Sequence, residues 1–496
     1  MRRPQALHFP ACGGAVPDRG GFAGELLSLR VNLSRLAVSR HLSTRPNYGI
    51  LFRKGGESQM VNITQMGQAL QRVFGQTAER LAAAVGFVQR TSKLSGSKFL
   101  LVWVLGFLQH PEASLDVLCQ VAADVGVEIT KQGMQQRLTA AAVTFLEQMF
   151  EHCKEALRSQ IGLPLALLIQ FTAIHLVDSS CIALPDSLAK EFPAAGGAGP
   201  RAGLKLQTIW EFLRGNLEEV IRQTGRQPDQ RFRDHLEYVA RGVLFLCDLG
   251  YFTFHNLRQI AAGGAFFVSR LDTQCGLYQP GCRARFDLLA HLNSLSSEPA
   301  ELELLVGCEA RLPCRVLAVR MPPEVVAERR REAQRKARRK HRRLTPQKLA
   351  WLAWNVYITN VPVAMLSFAQ VVLMYRLRWQ IELLFRLWKS KGHLARIAGR
   401  RRERILCEIY AKLIGMLVFH YVTAPVRWAE RELSPVKALR TLQHHAKAFA
   451  QALIHSLSDL CTELGELVRR WERFAAKDKR RSRVSTCSLL AEACRA

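Results

Sequence analysis

The chain has 496 residues, 48% of them hydrophobic, and a formal net charge of +29. This length predicts roughly two to four domains with sizeable cores, and the thirteen scattered cysteines fit a reducing compartment rather than a disulfide framework. The longest apolar run near the start, Phe99–Leu108, is too short to cross a bilayer, which argues against a membrane protein. The cationic surplus indicates a polyanionic partner; an anionic membrane surface is the rival of nucleic acid, and no sequence pattern supports it.

Residues 1–59 are rich in Gly, Arg and Ser, poor in acids, and without a sustained period. Two interpretations are open: a transit peptide, and a start codon assigned too far upstream, with Met60 opening the regular pattern. We expect poor order in this leader in either case.

Residues 60–162 have a helical pattern and form the first predicted domain. Within it, Ser114–Leu138 resembles a helix-turn-helix in which Met134 and Leu138 face inward at i,i+4 spacing. The polar residues of the second helix are then free to meet phosphates and base edges; they are Lys131, Gln132, Gln135, Gln136 and Arg137. An ordinary helical hairpin is the alternative.

Residues 163–271 predict the first part of an α/β core. Two short apolar runs each end in an aspartate, Asp178 in HLVDSSCIALP and Asp248 in FLCDLGYF. A lone aspartate at such a place is commonly a turn or cap residue.

Residues 272–344 predict a β-rich insertion followed by a basic helical run, and residues 345–405 predict the second part of the core, beginning with a strand at Asn355–Pro362. Residues 406–496 predict a helical C-terminal domain. Cations cluster in three segments, Ala327–Arg343, Arg396–Arg404 and Lys477–Arg483. One such run is usually a solvated face, and three of them favour a nucleic-acid partner.

The segment VLMYRLRWQIELLFRLWKSK predicts one long helix. At about 100° per residue, Tyr375, Arg378, Glu382 and Lys389 share a stripe roughly 60° wide beside an apolar face. A carboxylate flanked by two cations and a phenol suits a site for a metal ion and a phosphate backbone. A solvated face, with Arg378 and Glu382 paired at i,i+4, is the alternative.

The spacing Tyr-(2)-Arg-(3)-Glu-(6)-Lys resembles the signature of bacterial DDE transposases of the Insertion Sequence 4 family. The segments around the two aspartates resemble that family's other motifs: strand, Asp and then Leu184-Pro185, and Asp-x-Gly-Tyr at Asp248. The resemblance implies an RNase H-like α/β core with a β-rich insertion, flanked by helical N- and C-terminal domains. It implies that Asp178, Asp248 and Glu382 bind two Mg²⁺ ions, for which Mn²⁺ is a plausible substitute.

The same resemblance implies that Tyr375, Arg378 and Lys389 contact the transposon end. The expected partners are double-stranded DNA, as terminal inverted repeats and target, and a second copy of the chain in a synaptic homodimer. The expected activity is cut-and-paste transposition in the bacterial cytoplasm, on the nucleoid and not on a membrane. A bacterial origin favours a start codon assigned too far upstream, rather than a transit peptide, as the explanation of residues 1–59.

Three questions remain open at this stage. An RNase H-fold nuclease that cuts without joining is one rival function, and a non-catalytic DNA-binding regulator descended from a transposase is the other. The family's larger members also use an insertion-domain tryptophan to stack on a flipped base. Trp351 and Trp354 are the candidates here, although each is a common type of core residue.

Overall fold

The computed structural model describes residues 49–54, 57–90, 93–160, 162, 165–197, 199–251, 253–295, 300–426, 432–478 and 486–493. Most of the predicted leader, residues 1–48, lies outside the described residues. Its last part is not irregular, because strands β1 (Gly49–Lys54) and β2 (Glu57–Asn62) pair as an antiparallel hairpin.

Six helices follow: α1 (Ile63–Arg72), α2 (Ala78–Ala84), α3 (Gly96–Gln109), α4 (Leu115–Asp124), α5 (Lys131–Gln136) and α6 (Ala140–Ala156). The sequence sets where the last four begin. Ser95, Ser114, Thr130 and Thr139 stand at their N-caps, and each side chain accepts a hydrogen bond from a backbone N–H of the first turn.

The first part of the core contains α7 (Ala166–Ile169), β3 (Ala173–Leu184), β4 (Ala202–Glu211), β5 (Leu217–Thr224), β6 (Val243–Cys247), α8 (Phe254–Ala262) and β7 (Phe266–Arg270). Strands β5, β4 and β3 are antiparallel neighbours, and β3, β6 and β7 are parallel ones. This order confirms the RNase H-like core. Every position of β4 and β6 is buried, because both faces of the sheet are covered.

The predicted insertion extends this sheet. It contains β8 (Leu277–Tyr278), α9 (Leu288–Ser294), β9 (Ala300–Val306), β10 (Leu312–Arg320) and α10 (Pro323–Arg339). The second part of the core then begins with α11 (Pro346–Trp351) and β11 (Trp354–Thr359). Strand β11 pairs antiparallel with β7, and β10, β9 and β8 follow in turn, giving nine strands.

The chain ends in α12 (Phe368–Leu377), α13 (Trp379–Ser390), α14 (Arg402–Thr423), α15 (Pro435–His455), α16 (Leu457–Phe474) and α17 (Thr486–Ala493). Helix α14 packs on α3 and α6, and α15 packs on α3 and α16. The two helical regions predicted as separate domains therefore share one hydrophobic core.

Helix α14 is the one helix among the described residues that is long and apolar enough to cross a membrane. Its apolar window is 89% buried inside the protein. Burial of this extent is typical of a central core helix.

Candidate active site

The two aspartates lie side by side at one edge of the sheet. Strands β3 and β6 run parallel with Val177 opposite Cys247, so Asp178 and Asp248 are the next residues on neighbouring strands. Asp178 does not end its strand as predicted, because β3 continues to Leu184 in partnership with β4. We call this edge, where β3 and β6 present their aspartates, the catalytic edge.

The third carboxylate arrives on a helix that packs on β3. The segment predicted as one long helix is two, α12 and α13, which meet at Arg378. Arg378 keeps helical dihedral angles, but its N–H and that of Ile381 bond to carbonyls three residues back, at 3.1 and 3.3 Å. The tightened turn preserves the predicted stripe, so Glu382 still faces the catalytic edge.

Arg378 links the acids. Its Nη1 lies 3.3 Å from Asp178 Oδ2, and its Nη2 lies 2.7 Å from Glu382 Oε1. The arginine is 5% exposed, and its Nε is buried without a hydrogen-bond partner. In this structure Arg378 is the counter-charge of two carboxylates and its guanidinium is buried, and its contact with DNA phosphates stays a prediction.

The acids carry more negative charge than this one cation balances. Burial raises the pKa of Asp178 to about 7; Arg378 and the N–H of Ser179 oppose the shift, and Asp248 and Glu382 add to it. Burial likewise raises the pKa of Glu382 against the effect of Arg378, and Asp248 again contributes. These mutual effects show that the three carboxylates interact, and we call them the acid cluster.

The remaining two residues of the stripe also contact the protein. The Tyr375 hydroxyl donates to Asp248 Oδ1 at 3.2 Å. The Lys389 ammonium donates to Ser180 Oγ at 3.0 Å and to the Cys181 carbonyl at 3.2 Å, both on β3. The two side chains thus position the acid-bearing elements, and their contact with a transposon end stays a prediction.

The donors of the acid cluster suit a hard cation, because Mg²⁺ and Mn²⁺ prefer carboxylate oxygens. Over the described ranges, no three His, Cys, Asp or Glu side chains stand close enough to ligate one ion. The Arg378 guanidinium takes the position between Asp178 and Glu382. The acids fit a divalent ion in chemistry and charge, and such an ion would replace Arg378 as their counter-charge.

A second polar network supports the catalytic edge and was not predicted. Asp229 Oδ1 accepts hydrogen bonds from Ser179 Oγ at 2.9 Å, Lys205 Nζ at 3.0 Å and Gln207 Nε2 at 2.9 Å. Gln207 in turn accepts from the Tyr251 hydroxyl at 2.5 Å. Asp229 lies in the β5–β6 connection, so only the tertiary structure brings it beside the residue that follows Asp178.

The predicted helix-turn-helix forms as α4 and α5, with Met134 and Leu138 buried as expected. Arg137 has partners within the protein, and its contact with DNA stays a prediction. Its guanidinium donates to the carbonyls of Phe87 and Leu94 at 3.3 and 3.4 Å and stacks over the Phe87 ring at 4.6 Å.

Other residues of α5 differ in their exposure. The Gln135 Nε2 is buried, which disfavours a contact with bases. Lys131 is exposed and ion-paired with Asp116 at 2.8 Å, and Gln132 and Gln136 are exposed. DNA binding by Lys131, Gln132 and Gln136 therefore stays a prediction.

Neither tryptophan considered for base stacking is fully exposed. Trp354 is 5% exposed at the start of β11, and Trp351 is half-buried at the end of α11. The burial of Trp354 favours the core role considered for it.

The chain is similar to several known proteins. The chain is 27% identical to the transposase for insertion sequence element IS231B of Bacillus thuringiensis subsp. berliner, over 83% of this chain and 91% of that protein. It is 24% identical to the transposase for insertion sequence element IS1151 of Clostridium perfringens, over 83% of this chain and 92% of that protein. Among solved structures, the piggyBac transposase synaptic complex with hairpin DNA matches with a TM-score of 0.44 and 10% sequence identity. The match covers 80% of this chain and 85% of the piggyBac chain.

The family model described as "Transposase DDE domain" matches residues 170–418, which is half of the chain and includes Asp178, Asp248 and Glu382. The expected enzyme class, a DNA transposase, is confirmed at this level, and the class depends on divalent metal ions. The chain belongs to the transposase DDE domain family.

Proposed function

We propose that this protein is a cut-and-paste transposase of the Insertion Sequence 4 type in which Asp178, Asp248 and Glu382 hold two Mg²⁺ ions, with Mn²⁺ able to substitute. The observation that carries the proposal is the acid cluster: two aspartates on adjacent parallel strands and a glutamate from the helix packed on them. Three carboxylates stand beside the single Arg378 guanidinium, so their negative charge when ionised exceeds what this cation neutralises.

The chemistry assigns distinct tasks to the neighbouring residues. Bound divalent ions would activate a water molecule, and then the 3′-hydroxyl of the DNA, as the nucleophile, and they would neutralise charge on the phosphate that is attacked. Tyr375 orients Asp248 through its hydroxyl, and Lys389 fixes β3 beside Asp178. The Arg378 guanidinium stabilises the acids while they have no other counter-charge, and its release makes it available to a phosphate of the transposon end.

Other parts of the proposal rest on the expected architecture. We propose that two copies of the chain pair two terminal inverted repeats, and that Lys131, Gln132 and Gln136 contact DNA from the N-terminal helices. The protein then acts in the bacterial cytoplasm at the nucleoid. The division of the chain at residues 60, 163, 272, 345 and 406 belongs to the same proposal, with the helical regions before residue 163 and after residue 406 packed together in one core.

The decisive experiment uses a labelled duplex that carries the element's end, taken from the DNA that borders this gene, and a plasmid target. We expect Asp178→Asn, Asp248→Asn and Glu382→Gln each to lose cleavage by about 10³-fold or more with Mg²⁺, while end binding persists because it rests on cations. Asp186→Asn, at an exposed acid just after β3, is the matched control and should retain activity.

Three outcomes separate the candidate functions. Cleavage followed by joining of the 3′-hydroxyl end to the plasmid supports the transposase. Cleavage without joining identifies the RNase H-fold nuclease, and binding without metal-dependent cleavage identifies the regulator. Near wild-type cutting by any one of the three variants removes that residue from the proposed metal site.

A further inference from the structure

Helix α10 carries far more positive charge than its own packing can use. Residues 323–339, which form α10, contain seven Lys or Arg residues against three Glu residues. Val325 is the one buried residue among those that form α10. Cations at i,i+4 spacing, such as Arg331 with Arg335, repel each other and destabilise an isolated helix. One fully buried residue gives the helix little packing to offset this cost, so the charge itself calls for a functional explanation.

The exposed arginines of α10 are aligned. At about 100° per residue, Arg331, Arg335 and Arg338 fall within roughly 60° of one another, and they extend over about 10 Å of helix. All three are exposed, whereas Arg329, Glu332 and Lys336 on the other face are partly buried. We call Arg331, Arg335 and Arg338 the α10 stripe.

Local acids do not neutralise the stripe. Glu328 forms an ion pair with Arg331 at 3.0 Å, but both side chains are more than 60% exposed. Water screens such a pair, so it contributes little free energy. Glu332 pairs instead with Lys336, at 2.7 Å. The stripe therefore presents a positive surface to solvent.

The strand order places α10 at the catalytic edge. Strand β11 is antiparallel to β7, so the start of β11 and the end of β10 reach the same edge as Asp248. Arg320 at the end of β10 is paired with Trp354, and α10 begins at Pro323. Three strand spacings separate β6 from β10, or about 14 Å.

Hydrogen bonds fix α10 at this place. Arg329 donates to Asn355 Oδ1 at 3.0 Å and to the Leu352 carbonyl at 3.3 Å. Arg270, at the end of β7, donates to the same Asn355 oxygen at 3.5 Å. These hydrogen bonds attach the inner face of α10 to the end of β7 and the start of β11, at the catalytic edge. The α10 stripe lies on the opposite face of the helix.

We infer that the α10 stripe binds the backbone of the flanking donor DNA, the duplex outside the element that continues from the transposon end past the scissile phosphate. This inference rests on the proposed function. The separation of about 14 Å between β6, which carries Asp248, and β10, which leads into α10, corresponds to about four base pairs at 3.4 Å each. Arginine contacts to phosphate carry no sequence information, which suits a flank whose sequence differs at every insertion site.

The test measures end binding as a function of flank length. Duplexes that carry the element's end with 0, 4, 10 or 20 base pairs of arbitrary flank are titrated against the full-length protein at several salt concentrations. For the wild type we expect affinity to rise roughly tenfold between 0 and 10 base pairs and then to level off.

The variant Arg331→Gln/Arg335→Gln/Arg338→Gln should lose this gain. The salt dependence on the 20-base-pair flank should fall by about three counterions. Glutamine preserves helix propensity, and the residues are exposed, so the melting temperature should not change. The control Arg469→Gln/Arg470→Gln/Arg473→Gln removes the same charge from exposed positions of α16 and should keep the gain.

Each other outcome overturns the inference. A gain retained in the α10 variant means that the stripe does not bind flanking DNA. An equal loss on the duplex without flank assigns the stripe to the transposon end. Loss confined to the joining of precleaved ends to a plasmid assigns it to target DNA.

The proposed function fails separately. It fails if the wild type neither cleaves nor joins any of the substrates. If the wild type cleaves and joins but its affinity is independent of flank length, the proposed function stands and only the inference about α10 fails.

Discussion

Two charge clusters in this protein, one fully buried and one partly buried, have opposite designs. In α14, Glu408 and Lys412 are 0% and 2% exposed and form an ion pair of 2.8 Å. Lys412 also donates to the carbonyls of His393 and Arg396, while Glu408 accepts from the N–H groups of Ala398 and Gly399. One cation meets one anion, and both bind the loop that follows α13.

The acid cluster is unbalanced by comparison. Arg378 faces Asp178 and Glu382, Asp248 stands beside them, and Arg378 Nε has no hydrogen-bond partner. A charge cluster that serves the fold has its hydrogen bonds satisfied, because unpaired buried charge is costly. The surplus charge of the acid cluster is a cost to the fold that a bound cation would relieve.

The largest expected effect comes from breaking the Glu408–Lys412 ion pair of α14. Glu408→Ala leaves Lys412 buried without its counter-charge and removes the acceptor of two backbone N–H groups, so we expect a loss of about 3–5 kcal/mol in the free energy of unfolding. Urea denaturation measures it. Glu403→Ala, on the first turn of the same helix, should cost far less, and equal costs for both variants would refute the structural role of the pair.

The next effect concerns the support of the acid cluster. Asp229→Ala removes the common acceptor of Ser179, Lys205 and Gln207, so β3 holds Asp178 less firmly. We expect cleavage to fall about 10- to 100-fold and half-maximal activity to need more Mg²⁺, with end affinity unchanged. Asp229→Asn keeps an acceptor oxygen and should recover part of the rate. A Mg²⁺ dependence identical to wild type in the alanine variant contradicts the positioning role.

A smaller effect is the change in stability when one acid is replaced by its neutral amide, and it has opposite signs in the acid cluster and in the Glu408–Lys412 pair. The pKa of Asp178 is raised in the folded protein, so ionised Asp178 destabilises the fold above the ordinary carboxyl pKa. In chelator at pH 8, Asp178→Asn should therefore stabilise the protein by about 1–2 kcal/mol, whereas Glu408→Gln should destabilise it. Thermal melts of both variants give the signs, and destabilisation by Asp178→Asn would mean that Arg378 already balances the acids.

The smallest effect belongs to Lys389. Lys389→Ala loses two hydrogen bonds to β3, which is worth about 1 kcal/mol of stability, and one cation near the proposed transposon end. We expect the salt dependence of end binding to fall by about one counterion. Lys391→Ala removes a cation two residues on, on the other side of the helix, and should leave the slope unchanged. An unchanged slope in Lys389→Ala as well would restrict Lys389 to its structural contacts.

The residues that the sequence predicted well carry local signals. Asp178 and Asp248 follow apolar runs, and the 0, 3, 7, 14 spacing from Tyr375 to Lys389 survives the break at Arg378 because that residue keeps helical angles. The β-rich pattern of the insertion was also local, but pattern alone does not say which strand pairs with β7.

Partner choice over long separations was not predictable. Arg378 bonds to an acid 200 positions away, and Asp229 receives bonds from three residues 22 to 50 positions earlier. Arg137 faced outward by helical position, yet the Phe87 ring and two carbonyls bind it inside. In each case tertiary packing, not helix or strand period, determines where the polar group points.

The shared core of the two helical regions also governs how this chain is made. Helices α3 and α6 bury their apolar surfaces against α14 and α15, which lie hundreds of residues later in the sequence. At roughly 5–20 residues per second, a ribosome needs tens of seconds to deliver the missing partners. The nascent N-terminal helices wait through that interval with apolar faces uncovered, so a chain truncated before α14 should aggregate rather than fold into a smaller DNA-binding protein.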